Sequence, residues 1–466
     1  MTCEACYLAR TIVMSNLAAS SSMHSDHPGP REQLALGAVL FVHIAACCVS
    51  LIMVSNDNAP IAFLPATYHV FFKTAQLPVA LAAVAAFSLV AWLFVQARFS
   101  FGYFVGFYLY TMVLGYLWLN SFTDLNYDHR LSGLSAATSA IVFLIPALFI
   151  STPLRQAGAL PEAAFDRLLL VLLGLAAAVV IAGAFYNFRV VSIREIYRFR
   201  GTLELPTLLN YLVGITSGVI LPFVFAAFAM RKSYWLAGAA LLLLLLMYPI
   251  SLSKLVLFMP FWLIGLFVLS WLIESRMVAV LSLLAPTLLG IVLVAVFYDK
   301  AALYFSLINF RMVAIPSVGL DVYNDFFSRH AYTYFCQISY LKALVACPYQ
   351  EPLAVIMERV YDNGNFNASL FATEGIASVG PLFAPLSVMA CGLVIGIGNR
   401  LSAGLPSRFI LLSGGILPQI FLNVPLTISL LTYGAALLFL LWFITPRTIF
   451  GSQARPIFSA EPARPA

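Results

Sequence analysis

Four arginines crowd into twelve residues of the stretch NFRVVSIREIYRFRGTLELP: Arg189, Arg194, Arg198 and Arg200. On a short helix Arg194 and Arg198 share a face at i, i+4, with Tyr197 alongside and only Glu195 and Glu204 to neutralise them. Two guanidinium forks on one side suit a phosphate or pyrophosphate, because each fork donates two parallel hydrogen bonds to the oxygens. The competing role is to anchor the loop to lipid headgroups. A second cation, Lys254, stands between very apolar segments in YPISLSKLVLFMP, where it either snorkels to the surface or faces a wet cavity. The oddest carboxylate is Glu374 in GNFNASLFATEGIASVG. We expect it at or just below the outer membrane surface, serving either as a general base or in an ion pair with an outer arginine.

Between these lies a polar and aromatic stretch, 298–370, carrying Arg311, Asp321, Asp325, Arg329, His330, Glu351, Glu358 and Asp362. Its rings include Tyr323, Phe326, Phe327, Tyr332, Tyr334, Phe335 and Tyr340. Rings beside carboxylates and guanidinium groups make a sugar-binding surface, since C–H faces stack on rings while hydroxyls take polar partners. An aromatic belt at the bilayer interface has the same composition.

The elements that must position these groups are membrane helices. Of 466 residues, 62% are apolar and 9% charged, and the mean hydropathy is +0.96. That excludes a soluble enzyme, a disordered regulator and a nucleic-acid binder. Apolar spans fall near 34–55, 77–97, 99–119, 133–151, 167–187, 206–230, 234–252, 255–273, 277–297, 371–398, 409–423 and 425–444. The expectation is therefore an all-α polytopic protein of about twelve transmembrane helices (10–13). The last pair, separated by Val424 and Pro425, reads equally as a re-entrant hairpin. The organisation is a cytoplasmic tail 1–31, nine helices over 32–297 that include a short basic periplasmic loop 188–205, and a long periplasmic loop 298–370 with short helices. Three further helices, 371–446, and a cytoplasmic tail 447–466 complete the chain.

With both termini inside, thirteen of the 25 Lys and Arg residues lie on the inner side, four lie in the 189–200 cluster and five in 298–370. Lys73, Arg130 and Lys254 complete the outer set. Long loops translocate regardless of charge, so the cluster in the short loop is the anomaly, and a bound anion is its simplest physical reason. Cys336 and Cys347, both outside, form a candidate oxidised pair. Cys3 and Cys6 spell CxxC, but with no second pair or histidine partner they make no metal site.

The order IYRFR, SLSKLVLF, FRMVAIP, YNDFF and NFNASLFATEGIASVG resembles the O-antigen and capsular polysaccharide polymerases of the Wzy class, the oligosaccharide repeat-unit polymerases, over roughly residues 190–400. The resemblance implies a GT-C-like glycosyltransferase of the bacterial inner membrane. Its active side would be periplasmic, and it would join undecaprenyl-pyrophosphate-linked oligosaccharides into O-antigen, capsule or exopolysaccharide. It marks Tyr197, Arg200, Lys254, Arg311, Tyr323, Phe326, Phe327, Asn367 and Glu374. Combined with the charges above, Arg194, Arg198, Arg200, Lys254 and Arg311 are expected to hold pyrophosphate, and Glu374 or His330 to take the acceptor proton. Tyr197, Tyr323, Asp325, Phe326, Phe327 and Asn367 are expected to bind sugar. No acidic cluster for Mg²⁺ stands out and no cofactor is expected. Expected partners are membrane lipid, a chain-length regulator and a flippase, with no nucleic acid. The alternatives are an O-antigen ligase or other GT-C transferase using a polyprenyl-linked donor, and a flippase or exporter of lipid-linked sugars. Gly364-Asn365 stands where ligases resembling this chain carry a histidine.

Overall fold

The structure, a computed structural model, describes residues 29–56, 64–192, 195–196, 199, 205–338, 341, 344–363 and 367–453. Eleven of its helices are long and apolar enough to cross a membrane, and the protein is an all-α, multi-pass membrane protein. Nine run in order to residue 297: α1 (Pro30–Ser55), α2 (Thr74–Gln96), α3 (Phe101–Leu119), α4 (His129–Phe149), α5 (Glu162–Tyr186), α6 (Thr207–Met230), α7 (Tyr234–Ser251), α8 (Lys254–Leu272) and α9 (Ser275–Phe297). The others are α10 (Ala302–Phe327) and α12 (Phe371–Ser402), with a short α11 (Leu353–Tyr361) between them.

Local chemistry starts and stops these helices. Ser100 caps α3 by accepting the Tyr103 N–H (3.1 Å), and Asp128 caps α4 by accepting the N–H groups of Arg130 and Leu131. Every residue of α3 is buried, which makes it the axis of the bundle. Its glycines admit the neighbours: a Cβ on Gly102 would stand 2.0 Å from the Ala147 carbonyl oxygen, and one on Gly115 2.3 Å from Ser317 Oγ. By contrast α7 and α8 present Trp235, Phe258, Phe261 and Trp271 outward, as lipid-facing helices do.

Hydrogen bonds between segments define two faces. On one, Ser275 bonds to Ser407 (3.1 Å), Leu154 N–H to Arg400 (3.3 Å) and Gln156 to the carbonyl of Thr445 (2.8 Å). On the other, called here the loop face, Phe71 N–H bonds to Phe122 (2.9 Å), Asn126 N–H to Asp325 (3.1 Å) and Thr333 N–H to Ala377 (2.8 Å). Helix alternation puts Arg189, Val191 and the start of α6 on the loop face as well, where Tyr248 Oη donates to the Val191 carbonyl.

Two expectations are corrected. The stretch 298–370 is not simply a loop, because its first half is α10. This helix leaves the loop face beside α9, where Asn309 reaches the Thr287 carbonyl (2.9 Å) and Ser50 (2.8 Å). It bends through a π-helical segment, Ser306–Ala314, and climbs back along α3 to Asn126. Although long enough to cross, α10 enters and leaves on one side. The spans expected at 409–423 and 425–444 are instead four short helices: α13 (Ser407–Ser413), α14 (Leu417–Phe421), α15 (Leu426–Leu431) and α16 (Ala435–Ile444). Both ends of this segment sit at the face opposite the loops, so it is the re-entrant hairpin.

A third dip is made by the first arm of α12. Phe371 stacks edge-on against Phe143 (5.5 Å), deep along α4, whereas Ala377 and Ser378 accept from Thr333 and Tyr334 at the loop face. The chain thus rises from 371 to 379 and turns at Gly380 (φ +75°), where a Cβ would lie 2.5 Å from the Tyr332 ring. It then descends as the main arm of α12.

Candidate functional site

The three dipping segments meet around Glu374. Its carbonyl accepts from Ser387 Oγ (2.5 Å), so it lies level with a residue well down the main arm. Ser135, six residues into α4, pairs with Pro381, six residues above Ser387. At 1.5 Å per residue, Ser387 and with it Glu374 lie about 10 Å below the Gly380 turn. The kink within α12 at Gly380, unreadable from hydropathy, is the reason.

There the carboxylate is 7% exposed. One oxygen accepts from Thr373 Oγ1 (2.5 Å), and the other accepts the Thr427 N–H (3.5 Å) at the start of α15. The break between α14 and α15 supplies that N–H. Non-helical backbone at membrane depth is sustained only where protein or a wet cavity satisfies it. Tyr323, buried on α10, flanks the carboxylate. No ion pair among the described residues includes Glu374, so the arginine partner considered for it is not found there.

The three π-helical stretches among the described residues adjoin the broken hairpin. In α6, Thr216–Ile220 packs so that a Cβ on Gly218 would be 2.8 Å from the Tyr433 carbonyl. In α10, Met312 lies 3.7 Å from Gln419 Nε2. In α12, Phe371–Ala377 carries Glu374 itself. Each π turn leaves backbone groups out of the regular ladder, a distortion often found at functional sites. Only the Pro, Gly and Asn scatter of 414–434 hints at this in the sequence.

The other expected residues are distributed as follows. Arg194, Tyr197, Arg198 and Arg200 lie outside the described residues; Arg189, just before them, is exposed on the loop face. Lys254 opens α8, half-buried, at the same face, and Arg311 is exposed on the π segment of α10. His330 is exposed at the loop face, stacked on Phe326 (4.0 Å, 5° between planes), with Nδ1 2.8 Å from the Phe326 carbonyl. It sits three residues before Thr333, which bonds to the residue three beyond Glu374, so it lies above that carboxylate.

The expected sugar-binding rings are packed into protein. Tyr323, Phe326 and Phe327 are 2% exposed or less, because they line the faces of α10 that meet α12 and the loop segment. Exposed rings at this face include Tyr334 instead. Asp325 is likewise filled, by Arg329, by Tyr361 Oη (2.5 Å) and by the Asn126 N–H. Burial, then the Asp325 charge, pushes the Tyr361 phenol up, so it keeps the hydrogen it donates. Asn367 is exposed.

Sequence reasoning named Asp321 only among the charged residues of 298–370 and passed over Asn324, Tyr116, Tyr127 and Asn120, which form a polar cluster with it. The signal lay in the i, i+3, i+4 spacing of Asp321, Asn324 and Asp325, one stripe of a helix. Cys336 and Cys347, the candidate oxidised pair, are joined as a disulfide. No family model, curated protein or solved structure matches this chain.

Proposed function

We propose that this protein is a membrane glycosyltransferase that polymerises oligosaccharide repeat units carried on a polyprenyl pyrophosphate. The observation that carries the reading is Glu374: a buried carboxylate without a cationic partner among the described residues, held by backbone and hydroxyl donors where three re-entrant segments converge. An intramembrane carboxylate is costly and marks a working site. In the proposed reaction an acceptor sugar hydroxyl attacks the anomeric carbon of the donor. The new C–O bond forms as the bond to pyrophosphate breaks, and the leaving group departs with the electron pair. Glu374 receives the hydroxyl proton, with His330 above it as the alternative base. Arg194, Arg198, Arg200, Lys254 and Arg311 stabilise the charge growing on the diphosphate.

The loop face is read as periplasmic on two grounds. Disulfides such as Cys336–Cys347 persist in oxidising compartments. The opposite face carries Arg98, Arg155, Arg231, Lys232, Arg276, Arg400 and Arg408, as the positive-inside rule asks of a cytoplasmic side.

The test is the glycan made by a strain lacking the gene. Surface molecules capped with single repeat units support polymerisation, whereas unligated full-length polymer points to a ligase. One observation favours a second reading. Broken helices enclosing a carboxylate at depth are how many transporters build their sites. A lipid-linked sugar exporter would leave no repeat units on the outer side in the same strain. Topology reporters placing 189–200 in the cytosol would remove the pyrophosphate assignment altogether.

A further inference from the structure

Beside α10, five residues from three segments form a buried polar cluster: Tyr116 from α3, Asn120 and Tyr127 from the 120–128 segment, and Asp321 and Asn324 from α10. Asp321 is fully buried, and Tyr127 Oη lies 2.5 Å from its Oδ1. The same phenol oxygen lies 3.0 Å from Asn120 Oδ1 and 3.2 Å from Tyr116 Oη. Asn120 is oriented by its amide, which donates to the His129 carbonyl (2.9 Å), so its oxygen is a pure acceptor. Burial, then Asp321 and Tyr116, pushes the Tyr127 phenol up, so it keeps one hydrogen and only one.

The count of hydrogens then fails. With an ionised Asp321, two pure acceptors compete for the single Tyr127 hydrogen, and one close oxygen pair has nothing between its members. Asp321 Oδ2 and Asn324 Oδ1 are also buried without a partner. A proton on Asp321 repairs the close oxygen pair: the acid donates to the Tyr127 oxygen and Tyr127 donates to Asn120. A sodium ion held by the same carboxylate, amide and phenol oxygens is the alternative to a proton, and adding sodium separates the two.

We propose that Asp321 is a proton-binding site, separate from Glu374, that holds a neutral carboxylic acid at neutral pH. The groups facing it are few. Its own helix brings Asp325, already paired with Arg329; α3 brings Tyr116; the 120–128 segment brings Tyr127 and the Thr123 hydroxyl; α4 brings His129, whose Nδ1 is 2.8 Å from Asn120 Oδ1; and α11 brings Tyr361 on Asp325. None is a cation free to neutralise Asp321. Losing the proton would put like charges one helical turn apart and pull the Tyr127 hydrogen from Asn120, loosening the fold of the 120–128 segment. Because these hydrogen bonds need the acid form, stability from this site is present at low pH and falls as the proton is lost on raising the pH.

The experiment is infrared difference spectroscopy on the purified full chain, wild type minus Asp321→Asn, at neutral pH in sodium-free buffer. The expected result is a carboxylic-acid carbonyl band that is lost in Asp321→Asn, shifted in frequency in Tyr127→Phe and retained in Glu374→Gln. It should fade on raising the pH, in step with a falling melting temperature. If Asp321→Asn does not fold, the Tyr127→Phe shift and the pH titration decide. No acid band, a band indifferent to Tyr127→Phe, or a band abolished by adding sodium would each overturn the proposal.

Discussion

Helix α3 and the broken hairpin α13–α16 occupy the same depth of the bundle and are built on opposite terms. The first is one unbroken rod of 19 residues, all buried, whose rings pack edge-to-face against neighbours such as Phe94. The second spends a comparable apolar length on four pieces of five to ten residues, punctuated by Gly414, Gly415, Pro418, Asn423, Pro425 and Gly434. A continuous helix satisfies its own backbone and has nothing left to offer. A broken one must find partners for its loose N–H and C=O groups, and by the same token can present them. Glu374 is where that offer is taken up. The comparison teaches that the rod sets the frame and the interruptions make the site.

Substitutions can break this contrast. Gly102→Val in α3 drives a side chain into the Ala147 backbone, which cannot yield as a side chain would. We expect a loss of about 3 kcal/mol and little folded protein, read by size-exclusion yield and thermal melting. Gly380→Ala combines a positive φ with contact against the Tyr332 ring, and should cost upwards of about 1 kcal/mol by loosening the turn that lets 371–379 rise. Thr373→Val removes one donor to Glu374 at constant shape. It should cost about 1 kcal/mol at neutral pH, and turnover should fall more than stability does. Least of all, Lys73→Ala breaks a half-exposed ion pair with Asp124 at the loop-face rim, worth no more than about 0.5 kcal/mol in a salt titration of the melting temperature. A rim effect as large as that of Gly102→Val would mean that the frame is not where the stability lies.

Much of the frame was legible in the sequence. The spans α1 to α9 follow from hydropathy because their polar residues are few and their outer faces meet lipid. Helix α10 was hidden for a physical reason: Asn309, Ser317, Asp321, Asn324 and Asp325 point into protein, and composition does not distinguish a polar group satisfied by a neighbour from one satisfied by water. The hairpin 407–444 reads as two spans because each arm is apolar, and only its turn residues betray the break. Glu374 stood out by residue type alone. Its depth and its Thr427 partner depend on two interruptions far apart in the chain, which no local pattern records. Tyr323, Phe326 and Phe327 were visible as a cluster, but whether a ring faces sugar or core is decided by what packs against it.

The central claim is that Glu374 performs chemistry at the meeting point of the re-entrant segments. The most direct measurement is chain elongation by purified Glu374→Gln supplied with lipid-linked repeat units, alongside donor binding by the same preparation. The account predicts unchanged donor binding and a turnover reduced by about 10² to 10⁴-fold. Elongation at the wild-type rate by a properly folded Glu374→Gln would contradict it.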